Sequence, residues 1–259
     1  MKNFKFIVLA LAAVVLCGCG ADKSELLTVK TFKYDKSVLA SDNEKEKMQI
    51  SMQIEYPTAC AYSDMLDSLQ RFVIDVVFNN EIGSEPLSLD ISPKEAMKIR
   101  ADRMCEVYKE DNSFLLSDDA EDKLEMSRFF DAEYDLSAAV CSLSGDVMSY
   151  MVNTYSYYGG AHGMTTVYYY NIDLKTGEEL TEKNIYPDVD SQALAELLQA
   201  ALLDQTGLSR QELEERGYDF EALQPNENFY LSDDSVFYYF NAYEIAPYCE
   251  GGITIALPR

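Results

Sequence analysis

The chain has 259 residues, of which 47% are hydrophobic, and its formal net charge is −24. This hydrophobic content is enough for a sizeable core. Binding of nucleic-acid phosphates needs clustered Lys and Arg, so a chain this acidic is not expected to bind nucleic acid. A single histidine, His162, excludes zinc sites built from two or three histidines. We therefore expect no metal and no cofactor.

The first 18 residues have the pattern of a bacterial lipoprotein signal peptide. A basic start, MKNFK, precedes the apolar run FIVLALAAVVL, which is too short to span a bilayer as a mature helix. The run ends in the tetrapeptide LCGC, whose last residue is Cys19. We expect residues 1–18 to be removed, Cys19 to carry acyl chains such as palmitate, and residues 19–25 to form a tether. The protein would then be anchored in the cell envelope, facing the periplasm or the cell exterior.

Processing changes the charge and the cysteine count. Loss of Lys2 and Lys5 leaves 19 basic against 45 acidic residues, a net charge of −26, and this negative field favours a cationic partner. With Cys17 removed and Cys19 lipidated, four cysteines remain: Cys60, Cys105, Cys141 and Cys249. An oxidising compartment permits two disulfides among them in three pairings, and buried free thiols are the alternative.

The N-terminal part is predicted to contain two strands followed by two helices. The segment MQISMQIEY, residues 48–56, alternates apolar and polar side chains, and a strand around residues 28–34 is expected to pair with it. An apolar stripe predicts a helix from Ser63, as N-cap, to Asn79. A second helix begins with Ser92-Pro93, where Glu95 would complete a capping box. Its expected buried face consists of Met97, Ala101, Met104, Cys105 and Tyr108.

From Phe130 onward the hydrophobic period is two. Alternation predicts strands over residues 130–140, 147–158 and about 168–174, with GGAHG between the last two. A helix is expected from Ser191 to Gln205, and the segment from 234 to 258 is expected to form strand, irregular loop and strand. Helices placed between antiparallel hairpins predict an α+β fold, with antiparallel sheets and three or so helices packed on them. We expect two intimately packed halves, residues 26–162 and 163–259.

No catalytic constellation is recognisable in the sequence. It contains neither GxSxG nor a phosphate-cradling glycine motif, and a Ser–His–Asp or Cys–His arrangement would have to use His162. The glycines around His162 permit a sharp turn, so we interpret this residue as a structural or ligand-contacting residue of a loop. The tyrosines of the flanking strands serve either packing or the binding of a protein or a sugar.

Two segments resemble a known family. They are YYGGAHGMTTVYYYNIDLKTGEELTEKNIY and FYYFNAYEIAPYCEGGITIALP. They are similar to the paired extracytoplasmic domains of unknown function found in RsiV-like anti-sigma factors and beside the catalytic domain of PdaC-like peptidoglycan deacetylases. The positions that match this pattern are Gly159, Gly160, His162, Asp173, Gly177, Tyr243, Glu244, Pro247 and Tyr248. We expect the extracytoplasmic module alone, without an anti-sigma segment, a transmembrane helix or a deacetylase domain.

The resemblance implies a non-catalytic binding or sensor module of the cell envelope. RsiV-like domains bind lysozyme, so a basic lysozyme-like protein is one expected partner. PdaC-like domains accompany a peptidoglycan enzyme, so peptidoglycan or another glycan is the alternative. A third alternative is a hydrolase that uses two carboxylates distant in sequence. The candidate ligand-binding residues are Tyr155, Tyr157, Tyr158, His162, Tyr168, Tyr243 and Tyr248.

Overall fold

A computed structural model describes residues 23–39, 47–80, 85–112 and 131–259. Residues 1–18, Cys19 and Phe130 lie outside these ranges. The strands are β1 Leu27–Leu39, β2 Lys47–Cys60, β3 Ala132–Ser144, β4 Val147–Tyr157, β5 Met164–Asp173, β6 Phe229–Leu231, β7 Ser235–Phe240 and β8 Ile253–Pro258. The helices are α1 Lys23–Leu26, α2 Leu66–Phe78, α3 Pro93–Asp111, α4 Glu182–Ile185, α5 Ser191–Thr206 and α6 Arg210–Glu215, with 3₁₀ turns at Ser63–Met65 and Tyr248–Glu250.

The first five strands form one sheet in chain order, β1-β2-β3-β4-β5. All neighbours are antiparallel except β2 and β3, which are parallel. The expectation of purely antiparallel sheets is therefore wrong at this pair. Parallel neighbours need a long crossover connection, and here residues 61–131 supply it, with α2 and α3 packed against the sheet on the way.

One face of this sheet is apolar and covered by α2 and α3. Met48, Ile50, Met52 and Ile54 of β2 are buried there, as the alternation predicts. On α3 the predicted buried face is confirmed: Met97, Ala101, Cys105 and Tyr108 are buried and Met104 is half-buried. Ser92 caps α3 by accepting a hydrogen bond from the Glu95 amide, whereas Ser63 starts a 3₁₀ turn instead of capping α2.

The opposite face of the sheet, which we call the outward face, is open to solvent over β1, β2 and β3. Buried and exposed residues alternate over the first half of β2 and of β3, and half-buried and exposed residues alternate along most of β1, so polar side chains such as Ser51 and Gln53 point outward. An antiparallel or mixed sheet can leave one face in water in this way.

The last three strands form a separate sheet, β6-β7-β8, all antiparallel. Its apolar face packs on α5, and Leu194, Leu198 and Leu202 are buried against Tyr238 and Ile255 within a second core. Helix α5 begins where the sequence predicts, because the Asp190 side chain accepts from the Ala193 amide, and it ends at Gly207, whose φ is +66°.

Hydrogen bonds from Ser and Asn side chains join the two sheets. Asn171 of β5 donates to the Phe229 carbonyl at 2.8 Å, and the Leu231 amide donates to the Ser149 hydroxyl at 3.1 Å. Asn228 and Asn241 bond the free edge of β5 in the same manner. The second sheet thus docks on the first through buried polar groups that have partners, as buried polar groups require.

The architecture is α+β, with helices packed on two sheets, as expected. The five-stranded sheet includes strands from both sides of residue 162. Ile172 and Leu174, after this residue, lie in the first core, and Val147, before it, lies in the second core. The division into halves at residues 162 and 163 stays a prediction.

Candidate functional site

Three aromatic side chains from two distant loops meet at one end of the molecule. His162, in the loop between β4 and β5, stacks on Tyr248, with ring centroids 3.9 Å apart and planes inclined by 20°. Tyr243 lies beside both, at 5.6 Å from Tyr248 and 6.5 Å from His162. We call His162, Tyr243 and Tyr248 the aromatic cluster.

Hydrogen bonds to the backbone of the β4–β5 loop fix the aromatic cluster. The Tyr248 hydroxyl donates to the Gly163 carbonyl at 2.9 Å, and His162 Nδ1 lies 3.0 Å from the same carbonyl. Because a carbonyl only accepts, Nδ1 carries the proton in this contact. In the neutral imidazole Nε2 is the acceptor nitrogen, and the Tyr243 hydroxyl lies 3.5 Å from it.

Gly163 is required for this packing because the Tyr155 ring lies directly against it. A Cβ at position 163 would overlap the Tyr155 ring. Tyr157 supports the same loop by donating to the Gly160 carbonyl at 3.1 Å. The loop therefore rests on two tyrosines of β4 and presents His162 to Tyr248.

Tyr243 has the geometry of a recognition residue. It is 57% exposed and its φ is +73°, in the left-handed region that a bulky residue rarely adopts. A tight turn holds it there, since its amide donates to the Ala246 carbonyl at 3.1 Å. A strained backbone that presents a large exposed ring is a feature that clusters at ligand-binding sites.

Carboxylates accompany the tyrosines on this side. The pKa of Tyr155 lies above its ordinary value, first because the ring is partly buried and then because Glu133 carries a negative charge nearby. The pKa of Glu133 is raised by desolvation and by Asp135, and that of Asp135 by desolvation and by Asp35. Tyr155 therefore lies close to negatively charged carboxylates.

The structure unites most of the predicted site residues but not all of them. Tyr155 and Tyr157 adjoin the aromatic cluster, and Tyr158, 60% exposed, is the first residue of the same loop. Tyr168 is 49% exposed but pairs with Val152, whose side chain faces the helix-covered side. Tyr168 therefore points away from the outward face and is separate from the cluster.

The four cysteines of the described chain are free thiols in this structure. Cys105 is buried, Cys60 is half-buried, and Cys141 and Cys249 are exposed residues. Burial raises the pKa of the Cys105 thiol, which is the environment of an unreactive core cysteine. The formation of disulfides among these cysteines in an oxidising compartment stays a prediction.

Sequence reasoning missed the acidic side chains of the outward face and the asparagines at the edge of β5. The alternation of β3 does mark Glu133 and Asp135 as outward-facing, but only the strand order brings them beside Asp35 and Tyr155. Asn228 immediately precedes β6 and Asn241 immediately follows β7, and nothing in their local sequence indicates that they bond a strand far away in the chain.

Within residues 23–39, 47–80, 85–112 and 131–259, no group of three or more His, Cys, Asp or Glu side chains is arranged to hold a metal ion. Over the same ranges, every helix is too short or too polar to cross a bilayer.

Residues 182–259 match a family model described as a protein of unknown function, DUF3298. No curated protein matches the chain. A member of the DUF3298 family from Bacteroides fragilis NCTC 9343 has a similar structure, with a TM-score of 0.76 and 24% identity over 90% of each chain. A DUF3298 family protein from Pseudomonas aeruginosa PAO1 is similar at a TM-score of 0.60 and 19% identity, over 89% of this chain and 91% of that one. At these identities the likeness establishes the fold, and the C-terminal part of the chain matches the DUF3298 domain.

Proposed function

We propose that the protein is a non-catalytic binding module of the cell envelope whose ligand contacts the aromatic cluster. The exposed Tyr243, held in a left-handed conformation beside the His162–Tyr248 stack, is the observation that carries this proposal. Aromatic anchors of this kind dominate binding energy at protein interfaces.

The ligand we propose is a cationic protein, with a lysozyme-like hydrolase as the concrete candidate. The chain has a net charge of −24, and Glu133 and Asp135 add local negative charge beside Tyr155. Opposite charge speeds encounter and selects partners, while the aromatic rings supply contact area. The resemblance to RsiV-like domains supports the same class of ligand.

A structural role for His162 supports the non-catalytic assignment. Its Nδ1 bonds the Gly163 carbonyl, its Nε2 faces the Tyr243 hydroxyl, and its ring lies against Tyr248. These contacts use both nitrogens and one face of the ring to hold two loops together.

Binding of lysozyme to the full chain in detergent, measured by interferometry at physiological salt, tests the proposal. Tyr243→Ala should weaken binding about tenfold, or roughly 1.4 kcal/mol, because it removes an exposed anchor. Tyr168→Ala is the matched control, since it removes a tyrosine of similar exposure that lies on the helix-covered side of the sheet, away from the aromatic cluster. Wild-type affinity no better than that of an unrelated protein of equal charge would refute the proposal, since nonspecific attraction is screened at this salt.

Peptidoglycan is the second candidate ligand, because an exposed tyrosine ring can also stack on a sugar. Retention of the protein on purified peptidoglycan, lost in Tyr243→Ala and kept in Tyr168→Ala, would favour the glycan over the protein partner.

The proposed location rests on Cys19. Radiolabelled palmitate should enter the wild-type chain and not Cys19→Ser, and the variant should move from the membrane fraction to the soluble fraction. Incorporation into the variant would contradict lipidation at this cysteine.

A further inference from the structure

The outward face of the five-stranded sheet carries a row of side chains that crosses four strands. The strand register places Asp35 of β1 opposite Ser51 of β2, Ser51 opposite Asp135 of β3, and Asp135 opposite Tyr155 of β4. Asp35, Ser51 and Asp135 are exposed, and Ser51 donates to the Asp35 carboxylate at 2.9 Å. We call these four residues the cross-strand row.

The row is continuous with the aromatic cluster. Its last member, Tyr155, packs against Gly163, whose carbonyl accepts hydrogen bonds from Tyr248 and His162. Glu133 stands two residues before Asp135 on the same strand, opposite Tyr157. A ligand that covers the aromatic cluster and extends over the sheet therefore meets Tyr155 first and the carboxylates next.

The carboxylates of this face repel one another. Burial first, and then the charge of Asp35, raises the pKa of Asp135, and burial followed by the charge of Asp135 raises the pKa of Glu133. Like charges that are close on one sheet face cost stability. Among the outward-pointing side chains of β1, β2 and β3, the cationic ones are Lys33 and Lys47, and neither belongs to the cross-strand row. Lys33 stands two residues before Asp35 on β1, so the negative charge of this face is concentrated at Glu133 and Asp135, next to the half-buried rings of Tyr155 and Tyr157.

We propose that the cross-strand row, together with Glu133, is the docking surface for a protein partner that presents Lys and Arg side chains. The inference rests on the proposed function and adds where the partner lies: across the outward face of the sheet, with its basic side chains on Asp35, Glu133 and Asp135. Docking relieves the repulsion among these carboxylates. Ser51 lies between Asp35 and Asp135 in the row, and Gln53 and Ser137 form the next register pair on the same face.

The test compares two double variants of the full chain in binding to lysozyme as the basic probe. Asp35→Asn/Asp135→Asn removes two charges from the row, and the asparagine at 35 can still accept the hydrogen bond from Ser51. Glu110→Gln/Asp111→Asn removes the same charge from exposed positions of α3, on the helix-covered side. We expect the first variant to bind at least tenfold more weakly with a shallower salt dependence, and the control to change less than twofold.

The outcomes of these binding measurements separate the docking surface from the proposed function. Equal effects of the two double variants, or no effect of the first, would overturn the docking surface. If Tyr243→Ala still weakened binding in that case, the proposed function would stand and only the docking surface would be wrong. Absence of wild-type binding would overturn both. Loss of peptidoglycan retention in Asp35→Asn/Asp135→Asn, with lysozyme binding unchanged, would replace the protein partner by a glycan.

Discussion

The side-chain amide of Asn241 pairs with both backbone polar groups of Val167. Its Oδ1 accepts from the Val167 amide at 2.7 Å and its Nδ2 donates to the Val167 carbonyl at 3.1 Å. Val167 lies on β5, the edge strand of the large sheet, and Asn228 bonds the adjacent Tyr169 amide at 2.9 Å. Two asparagines thus occupy edge positions that would otherwise be open to pairing with another chain.

Asn241→Ala should therefore destabilise the fold by about 1 to 3 kcal/mol, because it leaves the buried Val167 amide without a partner, while the Val167 carbonyl keeps its hydrogen bond from Asn228. Urea unfolding monitored by circular dichroism measures the change. Asn80→Ala is a suitable control, since its amide donates to the Tyr170 hydroxyl at an exposed position and should cost less than about 1 kcal/mol. Equal losses in the two variants would contradict the role of Asn241 at the edge.

Removal of the hydroxyl group should affect folding stability differently at two fully buried tyrosines, Tyr150 and Tyr238. The Tyr150 hydroxyl donates to the Glu55 carbonyl at 2.7 Å, so Tyr150→Phe should cost about 1 to 2 kcal/mol. The Tyr238 hydroxyl has no hydrogen-bond partner within the described residues, so Tyr238→Phe should be neutral or stabilising by about 1 kcal/mol. Thermal unfolding of both variants checks the pair, and a large loss in Tyr238→Phe would show that its hydroxyl is bonded in solution.

A pair of glutamates should make the protein more stable in mild acid. Glu182 Oε1 accepts from the Glu227 amide at 2.9 Å, and Glu227 Oε2 accepts from the Glu182 amide at 2.8 Å. Burial, and then the charge of Glu227, raises the pKa of Glu182 above 4.5. The folded state then binds a proton more readily than the unfolded state, so stability falls as pH rises from 4.5 through the raised pKa.

Glu182→Gln keeps the acceptor oxygen and removes this titration. The variant should gain stability relative to wild type as pH rises through that window, whereas Glu182→Ala should lose stability at every pH. Denaturant midpoints measured from pH 4 to pH 8, about the range of carboxylate titration, provide the comparison. Parallel pH profiles for wild type and Glu182→Gln would rule out a raised pKa at this residue.

Gly163→Ala should be destabilising through one neighbour, Tyr155. The added methyl group overlaps the Tyr155 ring, and overpacking of this kind typically costs about 1 to 3 kcal/mol. In a Tyr155→Leu background the same substitution should cost much less, because the ring is gone. A double-mutant cycle from denaturant unfolding measures the coupling, and additive effects would show that the ring moves aside freely.

Much of the fold could be predicted because local periodicity determines it. The alternation of residues 48–56 and 130–140 predicts strands that correspond to β2 and β3, and the helix predicted from Ser191 to Gln205 corresponds to α5. The parallel pairing of β2 with β3 could not be predicted, since it depends on how α2 and α3 pack. The three residues of β6 and the six of α6 are too short to give a clear periodic signal.

The candidate site was predictable only in part. The sequence predicts His162, Tyr243 and Tyr248 as candidate site residues, all three of which match the family pattern, and the structure brings them together. The tyrosine-rich strands also predict Tyr168, which faces the other side, because its register opposite Val152 cannot be read from one strand alone. The carboxylates of the cross-strand row were missed for the same reason.

The parallel β2–β3 pair also determines when the five-stranded sheet can assemble during synthesis of the chain. The hairpin Leu27–Cys60 is made well before its neighbour Ala132–Ser144, and the two meet only after residues 61–131 have been added. Closing so long a loop is slow compared with forming the helices inside it. Until β3 is made, the edge of β2 that faces it is unpaired, so we expect a chain whose elongation stops before residue 132 to be more prone to aggregation than the complete chain.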